Sequence, residues 1–439
     1  MNQQGGQAEY DAIVVGAGIS GLGLSALLSN AGKRVLTLEW AAHIGGRAHS
    51  FERKGHIMNI GGPRAGLENG RVDVLFAELG LEPGERGFFE DVKTYRDGEF
   101  ISLPTLMMRG DREEAGKLMA TTRELAESGD LAKYDAMTAQ EWIKPLVKST
   151  EVLDTARYAS IVMNTIPRLE DVAASAFFES MRIIQTNPRI YLAAHGYGDF
   201  MRILAEASAK NGGELRTSSK VDEILIEDGR VRGVVIDKAG RAERIEAPVV
   251  AAALPVWELF EMADERLFPN DFVAKVKHLD RKTAIFGLTV ALREPLYDDK
   301  YFLLTDGPRC QHPISAFMAS NIAPAVAPEG EHLFEVCCQC DMEIRDDPDR
   351  LDEVVPLLRE DLEEFFPGWQ EKVIWQQSYC HWEEPARTAG RAGVFRPEVR
   401  APSVEGLYLT GDTVASRALP GLECAADSAM LCAEAILSR

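Results

Sequence analysis

Positive charge is scarce in this 439-residue chain: 48 lysines and arginines stand against 69 aspartates and glutamates, a formal net charge of −21. Such a surface repels nucleic-acid phosphates and anionic bilayers, and no basic patch offsets it, so neither is an expected partner. Long apolar runs are missing too. The longest, such as 247–256, contain proline and are too short to span a bilayer. Disulfide chemistry is poorly supported, because the seven cysteines are odd in number and all lie after residue 309. A reduced, cytoplasmic setting is expected. Cys337 and Cys340 do form a C-x-x-C, but within Leu333-Phe-Glu-Val-Cys-Cys-Gln-Cys, a strand pattern rather than the helix start that activates a redox thiol. Strand packing is the expected role, with a redox pair or a metal ligand as alternatives. Residues 1 to 10 are polar and lack a basic start, so no export signal is expected, and no tail anchor after the last helix. Repeats and low-complexity linkers are also absent.

What the chain does have is concentrated near its start. In Asp11-Ala-Ile-Val-Val-Gly16-Ala-Gly18-Ile-Ser20-Gly21, a short buried strand meets a helix that begins near Ile19. Gly16 permits the sharp turn, Gly18 removes the side chain that would hold a pyrophosphate off the backbone, and Gly21 lets helix and strand lie close. The helix N–H groups and its positive dipole end then face the phosphates. A second strand, 34–38, ends at Glu39, 18 residues beyond Gly21, where a carboxylate can accept from both ribose hydroxyls and repel a 2′-phosphate. An adenine dinucleotide is the expected ligand. The alternative is a tight turn that binds nothing.

Glu39 followed by Gly45-Gly46-Arg47 resembles the start of the flavin amine oxidase superfamily, which includes phytoene desaturase-like dehydrogenases and protoporphyrinogen oxidases. The other end agrees: Gly406-Leu-Tyr-Leu-Thr-Gly411-Asp412, then Pro420-Gly421-Leu422-Glu423 and an apolar helix, is similar to that family's C-terminal flavin segment. A third match, from Gly198 through Gly212-Gly213 to Val221-Asp-Glu-Ile, resembles the helix, strand and hairpin beside the adenine. The resemblance implies FAD, held by a glutathione reductase-like, Rossmann-type α/β domain assembled from three segments. It further implies that Arg47 donates to the pyrophosphate, Asp412 accepts from the ribityl chain, and Gly61-Gly62-Pro63-Arg64 brings backbone close to the isoalloxazine. Arg64 is a ring contact or a surface salt bridge, and Glu423 a flavin contact or an acid at the helix N-terminus.

Between these segments the pattern changes. Residues 111 to 187 carry helical periodicity, as in 115–128, 138–147 and 172–184, and suggest a lid over a substrate cavity. Met163, Phe177, Phe178 and Met181 are expected to be ordinary helix core. Hairpins are expected at 51–60 through Lys54-Gly55, at 94–103 through Asp97-Gly98 and at 221–236 through Asp228-Gly229. Strands at 283–292 and 333–338 and a helix at 351–366 suit a mixed sheet behind the cavity. The expected division is FAD-binding segments 1–90, 196–256 and 400–439, with a helical substrate part 91–195 and a mixed-sheet part 257–399.

No second strand–glycine–helix motif exists, since Gly196-Tyr-Gly198 lacks a third glycine, so NAD(P)H is not expected as hydride source. Oxygen or a quinone-like acceptor would take the electrons. In amine-oxidising relatives the residue before the flavin-turn Glu is often aromatic, and a second aromatic completes a cage; here that residue is Leu422, with Trp382 for the other wall. Lys282 resembles the lysine that oxidases of the family bond to the flavin through water, or is a solvated strand end. His195, Tyr197 and His381 are candidates to handle a proton, against structural roles. The reading is an FAD enzyme that removes a hydride from a small or medium, largely apolar, cyclic or isoprenoid-like substrate to form a C=C bond. Oxidation of an amine to an imine is the runner-up, then a flavin-dependent isomerase, then a flavin-binding protein without catalysis. No metal is called for, and a homodimer stays open.

Overall fold

The computed structural model describes residues 9–59, 66–186, 189–237, 241–280, 282–341, 344, 347–385 and 387–439. Its centre is a five-stranded parallel sheet in the order Glu214–Arg216, Val35–Leu38, Ala12–Val15, Val250–Ala253, Leu407–Thr410. Three separated stretches of chain therefore build one sheet. Both of its faces are covered, which is why every residue of Ala12–Val15 and of Leu407–Thr410 is buried, rather than every other one. On one face the helix Ile19–Asn30 lies between Gly198–Lys210 and Leu422–Leu437. On the other, the antiparallel sheet Val221–Glu227, Arg230–Asp237, Ala242–Glu246 presses Ile224, Val234 and Ile245 against Ile13, Leu36 and Val250.

Two glycines make the strand-to-helix turn possible. Gly16 has φ +105°, a backbone conformation costly for any residue with a Cβ. A Cβ on Gly21 would stand 2.0 Å from the Gly16 carbonyl oxygen, so helix and turn approach as closely as the sequence anticipates.

The second layer is a seven-stranded mixed sheet in the order Val373–Pro385, Lys282–Leu292, His332–Asp341, Pro313–Met318, Tyr301–Asp306, Asp91–Arg96, Glu99–Ser102. Tyr301–Asp306 runs parallel to Asp91–Arg96, and the other pairs are antiparallel. The hairpin expected at 94–103 thus extends this sheet rather than belonging to the helical lid. One face buries Phe286, Val290, Val336 and Cys338 under Leu358 and Leu362 of the helix Pro348–Phe365. Strand alternation sends Glu335, Cys337 and Gln339 to the opposite face. Cys337 and Cys340, three apart, consequently lie on opposite faces and form no redox pair. Burial pushes the neighbouring Cys338 thiol well up, which keeps it protonated.

Five helices follow on the other side, Leu103–Arg109, Arg112–Glu127, Ala139–Ile143, Thr150–Asn164 and Ala174–Gln185; the first and fourth pack on the sheet and the others pack on helices. Asp111 caps the second of these by accepting from the Glu113 and Glu114 amides, and Thr138 with Glu141 forms a capping box on the third. That third helix is shorter than the expected 138–147. Met163, Phe177, Phe178 and Met181 are buried in helix–helix core, as their spacing suggests. The layer is tied to the C-terminal part of the chain by Asp135, which is fully buried and receives Arg417 Nη1 at 2.8 Å, Nη2 at 3.1 Å and the Val394 amide at 2.9 Å.

Candidate functional site: a dinucleotide cradle opening on a substrate lobe

A cavity of about 720 Å3 lies between the two layers. Gly16, Gly18, Ser20, Glu39, Gly45, Gly46, Arg47, Val221, Gly411, Asp412, Leu422 and Glu423 all line it, although they come from three distant parts of the chain. Gly21 does not; it sits beneath the turn against Gly16 and acts on its shape. Gly61, Gly62, Pro63 and Arg64 lie outside the described residues.

Two helix N-termini reach this cavity, and neither has a side-chain cap. The helix Ile19–Asn30 starts after Gly18 and Leu422–Leu437 after Gly421, each with first-turn N–H groups that no capping side chain takes. A Cβ on Gly18 would meet only the Gly45 carbonyl oxygen, at 3.9 Å, so this glycine keeps open space at the start of the first helix. An uncapped N-terminus with a vacated Cβ position suits a pyrophosphate. The second N-terminus brings the same positive end to another part of the cavity wall, at Gly421 and Leu422.

The side chains around the cradle hold one another in place. Glu39 is buried and accepts from the Ala17 amide at 2.7 Å and the Ala41 amide at 2.9 Å, which sets its carboxylate at the rim. Arg47 Nη2 donates to Asp412 Oδ1 at 2.5 Å, joining the two ends of the chain across the cradle. Behind Asp412, the buried Arg396 donates to its carbonyl and to that of Arg391. Burial, with the Arg387 guanidinium adding to it, pushes the Arg396 pKa down to about 10, still well above neutrality. Glu423 lies in the first turn of its own helix and also reaches across to a distant segment. Its oxygens accept from the Leu67 amide at 2.9 Å and the Val72 amide at 3.0 Å, so it clamps the segment that starts the helix Arg71–Glu78 while still lining the cavity.

The substrate-side candidates separate. Tyr197 is buried and lines the cavity, with its amide donating to Asn59 Oδ1 at 3.2 Å. His195 does not line it: the side chain is 49% exposed and its Nε2 lies 4.0 Å from Glu85. The turn at Gly196, φ +78°, sends the two side chains apart, which corrects the expectation that both face the substrate. Lys282 opens the strand Lys282–Leu292, and Trp382 and His381 fall in Val373–Pro385 opposite Ala284 and Ile285; for these three only the backbone is described.

Sequence reasoning missed the rest of the wall. Ile161, Val162 and Thr165 from the end of Thr150–Asn164, Ile190, and Phe302, Ser315 and Gln339 from the mixed sheet extend the cavity beyond the flavin motifs. Alternation along 333–341 separates two faces, but without the sheet order it does not say which faces the cofactor. The adenine end also gains Ser219, Lys220 and Asp222 around Val221.

A parallel sheet with an uncapped, glycine-vacated helix start and an acid after the second strand defines a dinucleotide-binding protein. The chain belongs to the flavin-containing amine oxidoreductase family, whose model matches residues 19–437. FAD is accordingly its cofactor, and it is an FAD-dependent oxidoreductase. It is 22% identical to prolycopene isomerase 1, chloroplastic, of an Oncidium hybrid cultivar over a 500-residue alignment covering 95% of this chain and 83% of that protein. It is 29% identical to putrescine oxidase of Kocuria rosea over 234 residues, 51% of this chain and 44% of that one. The crystal structure of an oxidoreductase from Methanosarcina mazei superposes with a TM-score of 0.79 at 22% identity, covering 98% of this chain and all of the other. Among the described residues, no helix is long and apolar enough to cross a membrane.

Proposed function

We propose that this enzyme removes a hydride from a compact, largely apolar substrate and leaves a C=C bond in it, with oxygen or a quinone-like acceptor reoxidising the cofactor. The observation that carries the reading is the wall beyond the cradle: Ile161, Val162, Ile190 and Phe302 line it, and Leu422 stands where amine-oxidising relatives often place an aromatic. Apolar walls exclude water and hold a hydrocarbon skeleton by shape, which favours oxidation at carbon over capture of a cation. Bound FAD supplies the hydride acceptor. Glu39 then holds the ribose, the helix start at Gly18 the pyrophosphate with Arg47, and Asp412 the ribityl chain. Tyr197 is the candidate for passing on the proton that leaves the neighbouring carbon.

Anaerobic bleaching of the flavin absorbance, measured across cyclic ketones, terpenoids and amines, tests the reading. Bleaching by the carbon substrates with little effect of simple amines is expected. Efficient bleaching by primary or secondary amines would replace it with amine oxidation, the reaction implied by the name of putrescine oxidase. Conversion without net bleaching would indicate isomerisation, which the likeness to prolycopene isomerase over 95% of the chain supports as the second reading.

The proposed role of Lys282 is reoxidation. Lys282→Met should slow the reaction of reduced enzyme with oxygen on the order of a hundredfold or more, the usual span for a positioned proton-handling group, while leaving anaerobic flavin reduction nearly unchanged. An unaltered oxygen reaction in stopped flow would assign the lysine to a solvated strand end.

A further inference from the structure

We infer that the substrate carries a hydrogen-bond donor, a hydroxyl or an N–H, and that the side-chain amide of Gln339 accepts it at the mixed-sheet wall of the cavity. The inference rests on the proposed role of this cavity as the substrate lobe and narrows what occupies it.

Gln339 is 4% exposed and lines the cavity. Its Nε2 is engaged on the protein side, 3.4 Å from Ser315 Oγ and 3.9 Å from Cys337 Sγ. Its Oε1 accepts from no group among the described residues. A buried amide oxygen without a donor costs about as much as a lost hydrogen bond, so native interiors seldom retain one without a purpose. Strand register explains why the amide holds its orientation. Ser315 pairs with Cys337 on the adjacent strand, and Gln339 follows Cys337 on the same face, so the two side chains meet across the sheet and fix Nε2. The oxygen, itself covered, is left without a donor at the cavity wall. Gln339 also stands opposite Ile285, three residues along the strand that Lys282 opens. A donor bound there leaves the apolar wall of Ile161 and Phe302 to take the remaining skeleton. One acceptor in an apolar lobe selects an apolar molecule with one donor and disfavours a pure hydrocarbon, because filling the lobe with hydrocarbon would leave the oxygen permanently unpaired.

The test uses oxidised holoenzyme and needs no turnover, so it stands apart from the bleaching experiment. Phenol, anisole and toluene are titrated while the flavin absorbance is followed: the first has the donor, the second only an acceptor, the third neither. Phenol should bind on the order of tenfold more tightly than anisole or toluene, the size of one hydrogen bond to a buried acceptor. In Gln339→Leu that preference should collapse towards one through weaker phenol binding, with toluene binding kept or improved. Gln339→Glu, which retains an acceptor, should restore a preference for phenol. Retained FAD and an unchanged flavin spectrum in each variant check that it is folded. Equal binding of the three probes to the wild type, no binding of any of them, or a preference that survives in Gln339→Leu would each overturn the assignment. Failure of the bleaching panel alongside a donor preference that Gln339→Leu abolishes would sink the proposed reaction and leave this site standing.

Discussion

Gly18→Ala is expected to yield a protein that folds as well as the wild type and does not retain FAD. The added methyl would meet nothing closer than the Gly45 carbonyl oxygen at 3.9 Å, and φ −77° at this position suits alanine, so the apoprotein should melt at an unchanged temperature. The same methyl occupies the space through which a pyrophosphate reaches the helix N–H groups. Losing one or two hydrogen bonds to a charged group weakens binding by about 3 kcal/mol, on the order of a hundredfold or more in Kd. Gly21→Ala should behave oppositely, because its methyl would lie 2.0 Å from the Gly16 oxygen and must part helix from turn. Its damage should register as lowered thermal stability of the apoprotein. Fluorescence titration of deflavinated protein with FAD, beside thermal unfolding of both apo variants, separates the two. Wild-type FAD affinity in Gly18→Ala would remove the pyrophosphate from this turn.

Glu335→Gln is expected to stabilise the protein, and increasingly so as pH rises. Glu335 sits between the sheet and a small internal void of about 20 Å3 that it shares with Asn59, Cys337 and Tyr379, and it accepts from Thr289 Oγ1 at 2.9 Å. Burial pushes its carboxyl up to about 8 from the usual 4.5, with the Thr289 hydrogen bond opposing. The sign follows from proton counting. Below pH 4.5 both folded and unfolded chains hold the proton and the residue is neutral to stability. Between 4.5 and about 8 the unfolded chain releases it while the folded one keeps it, so stability falls steadily with pH, and above 8 the loss is complete. Glutamine keeps an acceptor for Thr289 and has no charge to bury. Its advantage should therefore be small at pH 5, grow through pH 7 and level off at about 3 kcal/mol above pH 8, since hydration from the void reduces the full value. Denaturant unfolding at pH 5, 7 and 9 reads this directly. An advantage independent of pH would mean that Glu335 is ionised in the folded protein.

The cradle was legible in the sequence because each of its parts is local. Turn, helix start and acid lie within about thirty residues, and short-range sterics dictate which residue types can occupy them. The hairpins at Lys54-Gly55, Asp97-Gly98 and Asp228-Gly229 were readable for the same reason: in each turn a Gly takes one of two successive positive-φ positions. The clamp that Glu423 makes was not legible because its partners, the Leu67 and Val72 amides, are more than three hundred residues away in sequence. His195 and Tyr197 were paired by proximity along the chain, whereas the turn between them decided which one faces the cavity.

By itself the sequence determined the cofactor class, the three-part origin of the parallel sheet and the helix-core role of residues such as Phe177 and Phe178. Periodicity and turn chemistry encode these directly, since they depend on neighbours a few residues apart. Only the tertiary structure decided what the substrate meets. The order of the seven-stranded sheet places Ser315 beside Cys337 and Gln339 and turns that face towards the cradle. The helical layer then closes the lobe with Ile161, Val162 and Thr165. A strand's alternation fixes that two faces exist; which one looks onto the cofactor depends on pairings between strands far apart in the chain, and no local pattern carries that choice.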